Sequence, residues 1–171
     1  ASMGYFDSNI INIITVVFLM ISGVNYALHF SVFSAKKFSF NLYKQDPEVR
    51  AFIFIQLVLT AICFAMLLNH EVYGSIETAF SQALFQAVSI STTAGFATTS
   101  FADWPLFLPV LLVISSFIGG CAGSTGGGLK VIRVLLLNLQ GVRELKRLVH
   151  PKAVYRIKLG AIFWPLEFHT L

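Results

Sequence analysis

The chain has 171 residues, of which 56% are hydrophobic and 12% are charged, and its formal net charge is +4. Soluble domains carry about 25% charged residues, so this composition, with 17 Phe and a mean hydropathy of +0.77, predicts a membrane protein and nearly excludes a soluble enzyme. So apolar a chain is not disordered, and its two cysteines, Cys63 and Cys121, are too few for a disulfide scaffold.

The basic residues fall into two groups. Four lie between Lys36 and Arg50, eight lie between Lys130 and Lys158, and none lies between the groups. This distribution is typical of membrane segments with cytoplasmic basic flanks, and it argues against a nucleic-acid partner. The first residues lack the features of a signal peptide, and the chain starts at Ala1 rather than Met. We therefore expect it to begin inside a longer protein.

Two apolar runs come first. Residues 10–33 are long enough to cross a hydrocarbon core of about 30 Å as one helix, at about 1.5 Å per residue. Residues 34–50 are polar and predict a loop, with a helix start near Asp46. Residues 51–69 are the second predicted span, because the stretch as far as Leu68 contains no charged residue.

A segment of different character follows. Residues 75–91 carry apolar side chains at spacings of three and four, which predicts an amphipathic helix too polar to face lipid on all sides. Residues 92–105 are rich in Thr and show no helical pattern. Asp103 is expected to cap the next helix, with Trp104 and Pro105 in its first turn.

The last apolar run is interrupted by glycines. Six of the ten residues at 119–128 are Gly, and each Gly costs about 1 kcal/mol relative to Ala in a helix interior. We therefore predict a broken helix over 104–139, followed by a basic segment at 140–158. One alternative for 119–128 is close helix packing through small residues. A phosphate loop is disfavoured because the segment lacks Gly-Lys-Ser/Thr and a preceding strand.

The basic residues also predict the orientation. If 34–50 is cytoplasmic, the start of the chain lies outside and the second span returns outward. Residues 75–102 then dip into the membrane and come back, and the last helix carries the segment 140–158 to the cytoplasm. A conventional crossing at 76–100 would not place all twelve basic residues on the inner side.

A re-entrant helix followed by an extended Thr/Gly strand is the arrangement of cation selectivity filters, in which backbone carbonyls replace the hydration shell of the ion. The C-terminal end of the helix dipole also favours a nearby cation. Residues 93–96 can be compared with the TVGY of potassium channels, and Gly95 lets a carbonyl turn inward without a Cβ penalty. The alternative is a membrane-embedded loop that only packs. The candidate ion-binding residues are Thr92, Thr93, Ala94, Gly95 and Phe96.

Three stretches carry a specific resemblance: ALFQAVSISTTAGF at 83–96, FADWPLFLPVLLVISSFIGGCAGSTGGGLKVIR at 101–133 and LQGVRELKRLVHP at 139–151. Together they resemble the third repeat of the Trk/Ktr/HKT superfamily of potassium transporters. Residues 22–26 resemble the helix that closes the second repeat. The resemblance covers roughly residues 1–159, whereas the tail at 159–171 does not look like the continuation of the family, and no function is assigned to it.

The resemblance implies an all-α integral membrane protein with four helix–pore-helix–filter–helix repeats in one chain around a single potassium pathway. This chain would supply one pore repeat, 51–139, after a transmembrane helix, 1–33, that closes the preceding repeat and a cytoplasmic loop, 34–50. The parts of the repeat would be helix 51–69, re-entrant pore helix 75–91, filter 92–97 and broken inner helix 104–139.

The resemblance further implies that the Gly-rich stretch is an intramembrane gate loop beneath the filter. Its residues are Gly119, Gly120, Cys121, Ala122, Gly123, Ser124, Thr125, Gly126, Gly127 and Gly128.

The implied partners are the remaining pore repeats, a second copy of the chain and a cytoplasmic nucleotide-binding regulatory subunit. The basic segment 140–158 is expected to lie against anionic lipid or to contact this regulator. The implied location is the bacterial inner membrane, and K⁺ is the transported ion, with no enzymatic activity and no covalently bound cofactor. Channel-like transport and symport with protons or sodium both stay open. The alternative function is a non-conducting truncated fragment or membrane adaptor.

Three further polar residues lie in or next to these segments. Asn25 and His29 are expected to make interhelical hydrogen bonds rather than to bind an ion. Glu77 is expected to complement the N-terminus of the helix at 75–91, or else to attract cations to the outer mouth of a pore.

Overall fold

The computed structural model describes residues 3–6, 8–34, 40–105 and 107–149. Within these ranges the chain is helical, with short 3-10 helices at Met3–Phe6 and Phe101–Asp103. The α-helices are α1 (Asn9–Ser22), α2 (Tyr26–Ser34), α3 (Asn41–Gln45), α4 (Pro47–Asn69), α5 (Ile76–Ser91), α6 (Phe107–Ser116) and α7 (Val131–Val149).

The first predicted span is divided in two. α1 and α2 meet at an angle of 90°, so the expectation of one continuous helix over 10–33 is wrong. α1 ends at Gly23, where an added Cβ would lie 2.6 Å from Cζ of Phe52, and α2 restarts after the Asn25 side chain accepts a hydrogen bond from the N–H of Ala27 at 2.8 Å. Hydropathy alone does not register such a change of direction.

α4 is the helix among the described residues that by itself is long and apolar enough to cross a membrane; the bent pair α1 and α2 also qualifies if it is counted as one span. α4 begins where the sequence predicts a helix start, because the Asp46 carboxylate accepts hydrogen bonds from the N–H groups of Glu48 at 2.8 Å and Val49 at 3.1 Å. Pro47 occupies the first helical position, where its missing N–H costs nothing.

α5 packs against α1, α4 and α6 and so lies at the centre of the described bundle. Its N-terminus is capped by Ser75, whose hydroxyl accepts from the N–H of Thr78 at 3.1 Å. Small side chains one turn apart, Ala79, Ala83 and Ala87, let α4 and α6 approach closely and form a shared apolar core. Because this helix is covered by protein on several sides, several of its polar residues, such as Gln86, Ser89 and Ser91, are buried within the bundle.

α6 begins after a break at Trp104 and Pro105. Asp103 ends the 3-10 helix Phe101–Asp103, and α6 is Phe107–Ser116, so the expectation that Trp104 lies in its first turn is wrong. The carbonyl of Pro105 accepts from the N–H of Leu108 at 2.8 Å at the start of this helix. Trp104 is instead extended, and its indole N–H donates to the hydroxyl of Tyr73 at 3.1 Å.

The stretch at 117–130 between α6 and α7 is not helical, in agreement with the helix interruption that the glycines predict. α7 then runs without a break through Gly141 to Val149, so the predicted boundary at 139–140 does not correspond to a structural boundary. The rest of the basic segment and the tail at 159–171 lie outside the described residues.

Many large apolar side chains remain exposed on the outer faces of α1, α4 and α6, among them Phe18, Phe54 and Val110. Exposed apolar surface on this scale marks contact with lipid or with further protein. The described residues therefore form a bundle that needs an apolar environment around it.

Candidate functional site

α5 ends in a Schellman motif with an unusual residue in its left-handed position. The N–H of Ala94 bonds to the carbonyl of Ser89 at 2.9 Å, and that of Thr93 bonds to the carbonyl of Ile90 at 3.0 Å. Thr93 has φ of +60°, where glycine is usual and a β-branched residue is an outlier. Thr93 therefore keeps a costly backbone conformation, which points to a role for its side chain.

The chain after this motif runs back along α5 and is held by three side chains of that helix. Ser89 Oγ donates to the carbonyl of Phe96 at 2.6 Å, and the Gln86 side-chain amide donates to the carbonyl of Thr99 at 2.9 Å. Gln82 accepts a hydrogen bond from the hydroxyl of Thr98. The spacing of 82, 86 and 89 places all three on one face of α5, which fixes the strand that follows.

The backbone carbonyls of this strand differ in their partners. The carbonyl of Thr92 accepts from the hydroxyl of Thr93 at 2.6 Å, and that of Phe96 accepts from Ser89. No donor among the described residues bonds to the three carbonyls in between, those of Thr93, Ala94 and Gly95. Gly95 has φ of +75° and an exposed backbone. Three consecutive oxygens are thus free to interact with a cation.

The Gly-rich loop at 117–130 is closed at its neck by backbone hydrogen bonds. The N–H of Gly119 donates to the carbonyl of Leu129 at 2.9 Å, and the N–H of Leu129 donates to the carbonyl of Phe117 at 2.8 Å. A Cβ at Gly119 would lie 1.8 Å from the carbonyl oxygen of Gly127, so the two sides approach too closely for any side chain.

The loop packs into the bend between α1 and α2. The N–H of Cys121 donates to the carbonyl of Gly23 at 2.8 Å, and the N–H of Tyr26 donates to the carbonyl of Gly123 at 3.2 Å. Cys121 is buried in an apolar cluster with Val24, Phe52 and Val131. The bend between α1 and α2, which was not predicted from the sequence, is therefore where the loop packs.

The loop also touches the end of α5. The N–H of Gly127 donates to the hydroxyl of Thr93 at 2.6 Å, and a Cβ at Gly126 would lie 3.2 Å from the carbonyl oxygen of Thr92. The structure thus brings the two predicted segments, 92–96 and 119–128, into direct contact.

Two charged residues that the sequence analysis did not single out bind this loop. Glu48 Oε1 accepts from the N–H groups of Ala122 at 2.7 Å and Ile132 at 2.9 Å. The Lys130 ammonium donates to the carbonyls of Ser124, at 3.3 Å, and Gly126. Glu48 precedes its partners by 74 and 84 residues, so no local pattern could have revealed the contact.

The other candidate polar residues lie away from this contact. His29 bonds through Nδ1 to the hydroxyl of Tyr43 at 2.6 Å and through Nε2 to the carbonyl of Ile21 at 2.9 Å, which confirms an interhelical role. Asn25 Oδ1 accepts the local bond that starts α2, and an interhelical bond of its side chain stays a prediction. Glu77 is exposed in the first turn of α5 and accepts from the Asn9 side chain at 3.4 Å. The described residues hold no group of three or more His, Cys, Asp or Glu side chains that could bind a metal ion.

Comparison with known proteins identifies the family. The sequence model of TrkH, described as a cation transport protein, matches residues 1–162. The chain belongs to the TrkH family. The family resemblance predicted from the sequence motifs is therefore confirmed.

Relatives match almost the whole chain. The Trk system potassium uptake protein TrkH of Vibrio parahaemolyticus is 68% identical over 165 residues, which cover 96% of this chain and 34% of that protein. The protein of the same name in Escherichia coli K12 is 63% identical over 160 residues, 94% of this chain and 33% of that protein. The chain spans about a third of the length of these relatives.

A solved structure shows the same fold. The crystal structure of the potassium transporter TrkH from Vibrio parahaemolyticus matches with a TM-score of 0.91 at 67% sequence identity, over 98% of this chain and 36% of that chain. The described part of this chain is thus similar in its helical architecture to that transporter.

Proposed function

We propose that this chain forms one repeat of a potassium uptake pathway in the bacterial inner membrane, with 92–96 as a filter strand and 119–128 as a gate loop. The observation that carries the proposal is the run of three carbonyls, at Thr93, Ala94 and Gly95, without a described donor at the C-terminal end of a buried helix. Unpaired carbonyls at membrane depth are tolerated where they line a wet cavity, and there they replace the hydration shell of a cation.

The exposure of Thr93 and Gly95 in this chain is consistent with a pathway that further repeats complete. A single strand offers carbonyls on one side of an ion, whereas a filter surrounds it. The printed names of the relatives support K⁺ as the ion. Carbonyl selection serves a channel and a proton- or sodium-coupled symporter equally.

The gate function is supported by the contact between the loop and the filter strand. The loop donates to the Thr93 hydroxyl, and its glycines can change conformation at little steric cost. In this role the loop obstructs ions without selecting among them. We propose that α5 is the re-entrant pore helix and that α6 and α7 are the two halves of a broken inner helix.

The partners in this proposal are three further repeats, a second copy of the full-length protein and a cytoplasmic nucleotide-binding regulator that docks near α7. Arg143, Lys146 and Arg147 supply the basic surface on the described part of that helix. In this proposal the start of the chain lies on the outer side of the inner membrane and α7 reaches the cytoplasm, the orientation that the positive-inside rule favours.

The test is a Gly95→Ser substitution in the full-length parent, expressed in bacteria that lack other potassium uptake. At φ of +75° a side chain costs about 1–2 kcal/mol, so we expect the preference for K⁺ over Na⁺ to fall roughly tenfold. Gly74→Ser is the matched control, because a Cβ there also meets no atom within 4 Å but the backbone does not require glycine. An unchanged flux ratio in Gly95→Ser, or an equal change in the control, contradicts the filter assignment. A parent that moves neither ion supports the adaptor alternative instead.

A further inference from the structure

A buried carboxylate holds the Gly-rich loop from outside. Glu48 lies in the first turn of α4 and is 6% exposed. Its Oε1 accepts two hydrogen bonds, from the N–H of Ala122 inside the loop and from the N–H of Ile132 in the first turn of α7. One oxygen therefore joins three elements: α4, the loop and the helix that follows the loop.

The chemistry of this contact is stronger than that of an ordinary turn. Hydrogen bonds to a carboxylate are about twice as strong as those between neutral groups. The free N–H groups at the N-terminus of α7 also carry the positive end of its dipole, which favours a carboxylate there. An ordinary helix cap comes from the residue just before the helix and would leave the loop untouched. Glu48 instead couples the loop to the start of α7.

The first turn of α4, which carries Glu48, is fixed by its own contacts. The Asp46 cap fixes the first turn of α4, and Val49 and Phe52 pack with Cys121 and Val131 in one buried cluster. The loop is rich in glycine, and the Lys130 ammonium at its C-terminal end donates to the carbonyls of Ser124 and Gly126. A change at position 48 would therefore remove one of the contacts that hold the loop and leave the Asp46 cap of α4 in place.

We propose that Glu48 is a positioning residue that sets how far the Gly-rich loop obstructs the ion pathway. The inference rests on the proposed gate function of that loop. Glu48 acts indirectly, by holding the N–H groups of Ala122 and Ile132 at the two ends of the segment 122–132. Weakening this hold shifts the loop towards conformations that obstruct the pathway less.

The experiment compares Glu48→Gln and Glu48→Asp in the full-length parent, with uptake velocity normalised to the amount of protein in the membrane. Gln keeps an acceptor but loses the charge, and Asp keeps the charge but is one methylene too short to reach both N–H groups. Loss of one charge-assisted hydrogen bond predicts a rise in maximal potassium uptake velocity on the order of tenfold. The ratio of K⁺ to Na⁺ flux should stay within about twofold of the parent, since the carbonyls of 93–95 do not change.

Glu71→Gln is the matched control, because it makes the same chemical change in an exposed residue just after the other end of α4. A general loss of stability would lower the amount of protein, but it would not raise velocity per molecule. Combination with deletion of 121–126 adds a second readout. Glu48→Gln should have no further effect on velocity there, because the part of the loop that it positions is gone, although its bond to Ile132 can still form.

Labelling of the Cys121 thiol is a second measurement for variants that accumulate to low amounts in the membrane. Cys121 lies within the loop and is fully buried, so a freed loop should expose it, and the extra labelling should vanish in a Cys121→Ala background. Unchanged velocity and unchanged Cys121 labelling in both variants overturn the inference, as does a velocity change that persists in the deletion background.

If the deletion alone alters velocity while the Glu48 variants do not, Glu48 loses its role and the gate stands. If Gly95→Ser leaves ion preference unaltered, the proposed filter fails independently.

Discussion

The hydroxyl of Thr93 accepts a hydrogen bond from the backbone N–H of Gly127 at 2.6 Å, and it donates to the carbonyl of Thr92 at the same distance. One side chain thus links the end of α5 to the Gly-rich loop. It does so from a backbone conformation, φ of +60°, that disfavours threonine. Thr93 therefore contacts both the proposed filter strand and the proposed gate loop.

Replacing Thr93 should affect both functions together. Thr93→Val keeps the shape but removes the hydroxyl, and the lost hydrogen bonds correspond to about 1–2 kcal/mol. We expect potassium velocity and the K⁺ to Na⁺ ratio to change in the same variant, while Thr93→Ser retains both. Thr15→Val serves as the control, since that hydroxyl bonds to the carbonyl of Ile11 one turn back within α1. An altered velocity with an intact ion ratio would show that Thr93 serves the loop alone.

Glycine is required at the neck of the loop but not in α7. A Cβ at Gly119 would overlap the carbonyl of Gly127, whereas one at Gly141 would meet no atom within 4 Å. Gly119→Ala should therefore lower the thermal unfolding midpoint in detergent, through overpacking of about 1–3 kcal/mol. Gly141→Ala should raise the midpoint slightly, because Ala stabilises a helix interior by about 0.5–1 kcal/mol relative to Gly. Equal midpoints for the two variants would contradict the described neck geometry.

Lys130 places a tethered ammonium on two loop carbonyls, those of Ser124 and Gly126. Lys130→Met removes both the hydrogen bonds and a positive charge close to the proposed pathway. We expect maximal potassium uptake to rise by at least severalfold, because charge-assisted bonds of about 1.5–3 kcal/mol no longer hold the loop. Lys130→Arg should stay near the parent value, and Lys44→Met, in the exposed last turn of α3, should have no effect. Lower uptake in Lys130→Met than in Lys44→Met would argue that Lys130 supports conduction.

Local patterns predicted much of the fold. The charge-free stretch of α4, the spacing of apolar residues in α5 and the glycines at 119–128 each act over short distances, so the sequence alone was sufficient to indicate them. The 90° bend at 23–25 was missed because both arms are apolar and hydropathy does not report direction. The Ser22–Gly23 pair is the one local signal that could have suggested a helix end there.

The contacts around the site depend on the folded chain. Glu48 and Ala122 are 74 residues apart, and Thr93 and Gly127 are 34 apart. The sequence indicated both segments and included Thr93 among the candidate ion-binding residues, but it did not indicate the contact between the Thr93 hydroxyl and Gly127. Glu48 was also obscured by its position in a predicted polar loop, where a carboxylate is ordinarily solvated. Its burial becomes apparent only when α7 and the loop are in place.

The most direct test of the account is a paired measurement of maximal potassium uptake and ion preference in the full-length parent with residues 121–126 deleted. The deletion removes the part of the loop that packs against Gly23 and Glu48, and it leaves the carbonyls of 93–95 in place. Maximal uptake velocity should rise clearly in the deletion variant, and its ratio of K⁺ to Na⁺ flux should change much less than its velocity. Unaltered velocity, or an altered ratio at normal velocity, would contradict the account and favour close helix packing as the role of the glycines.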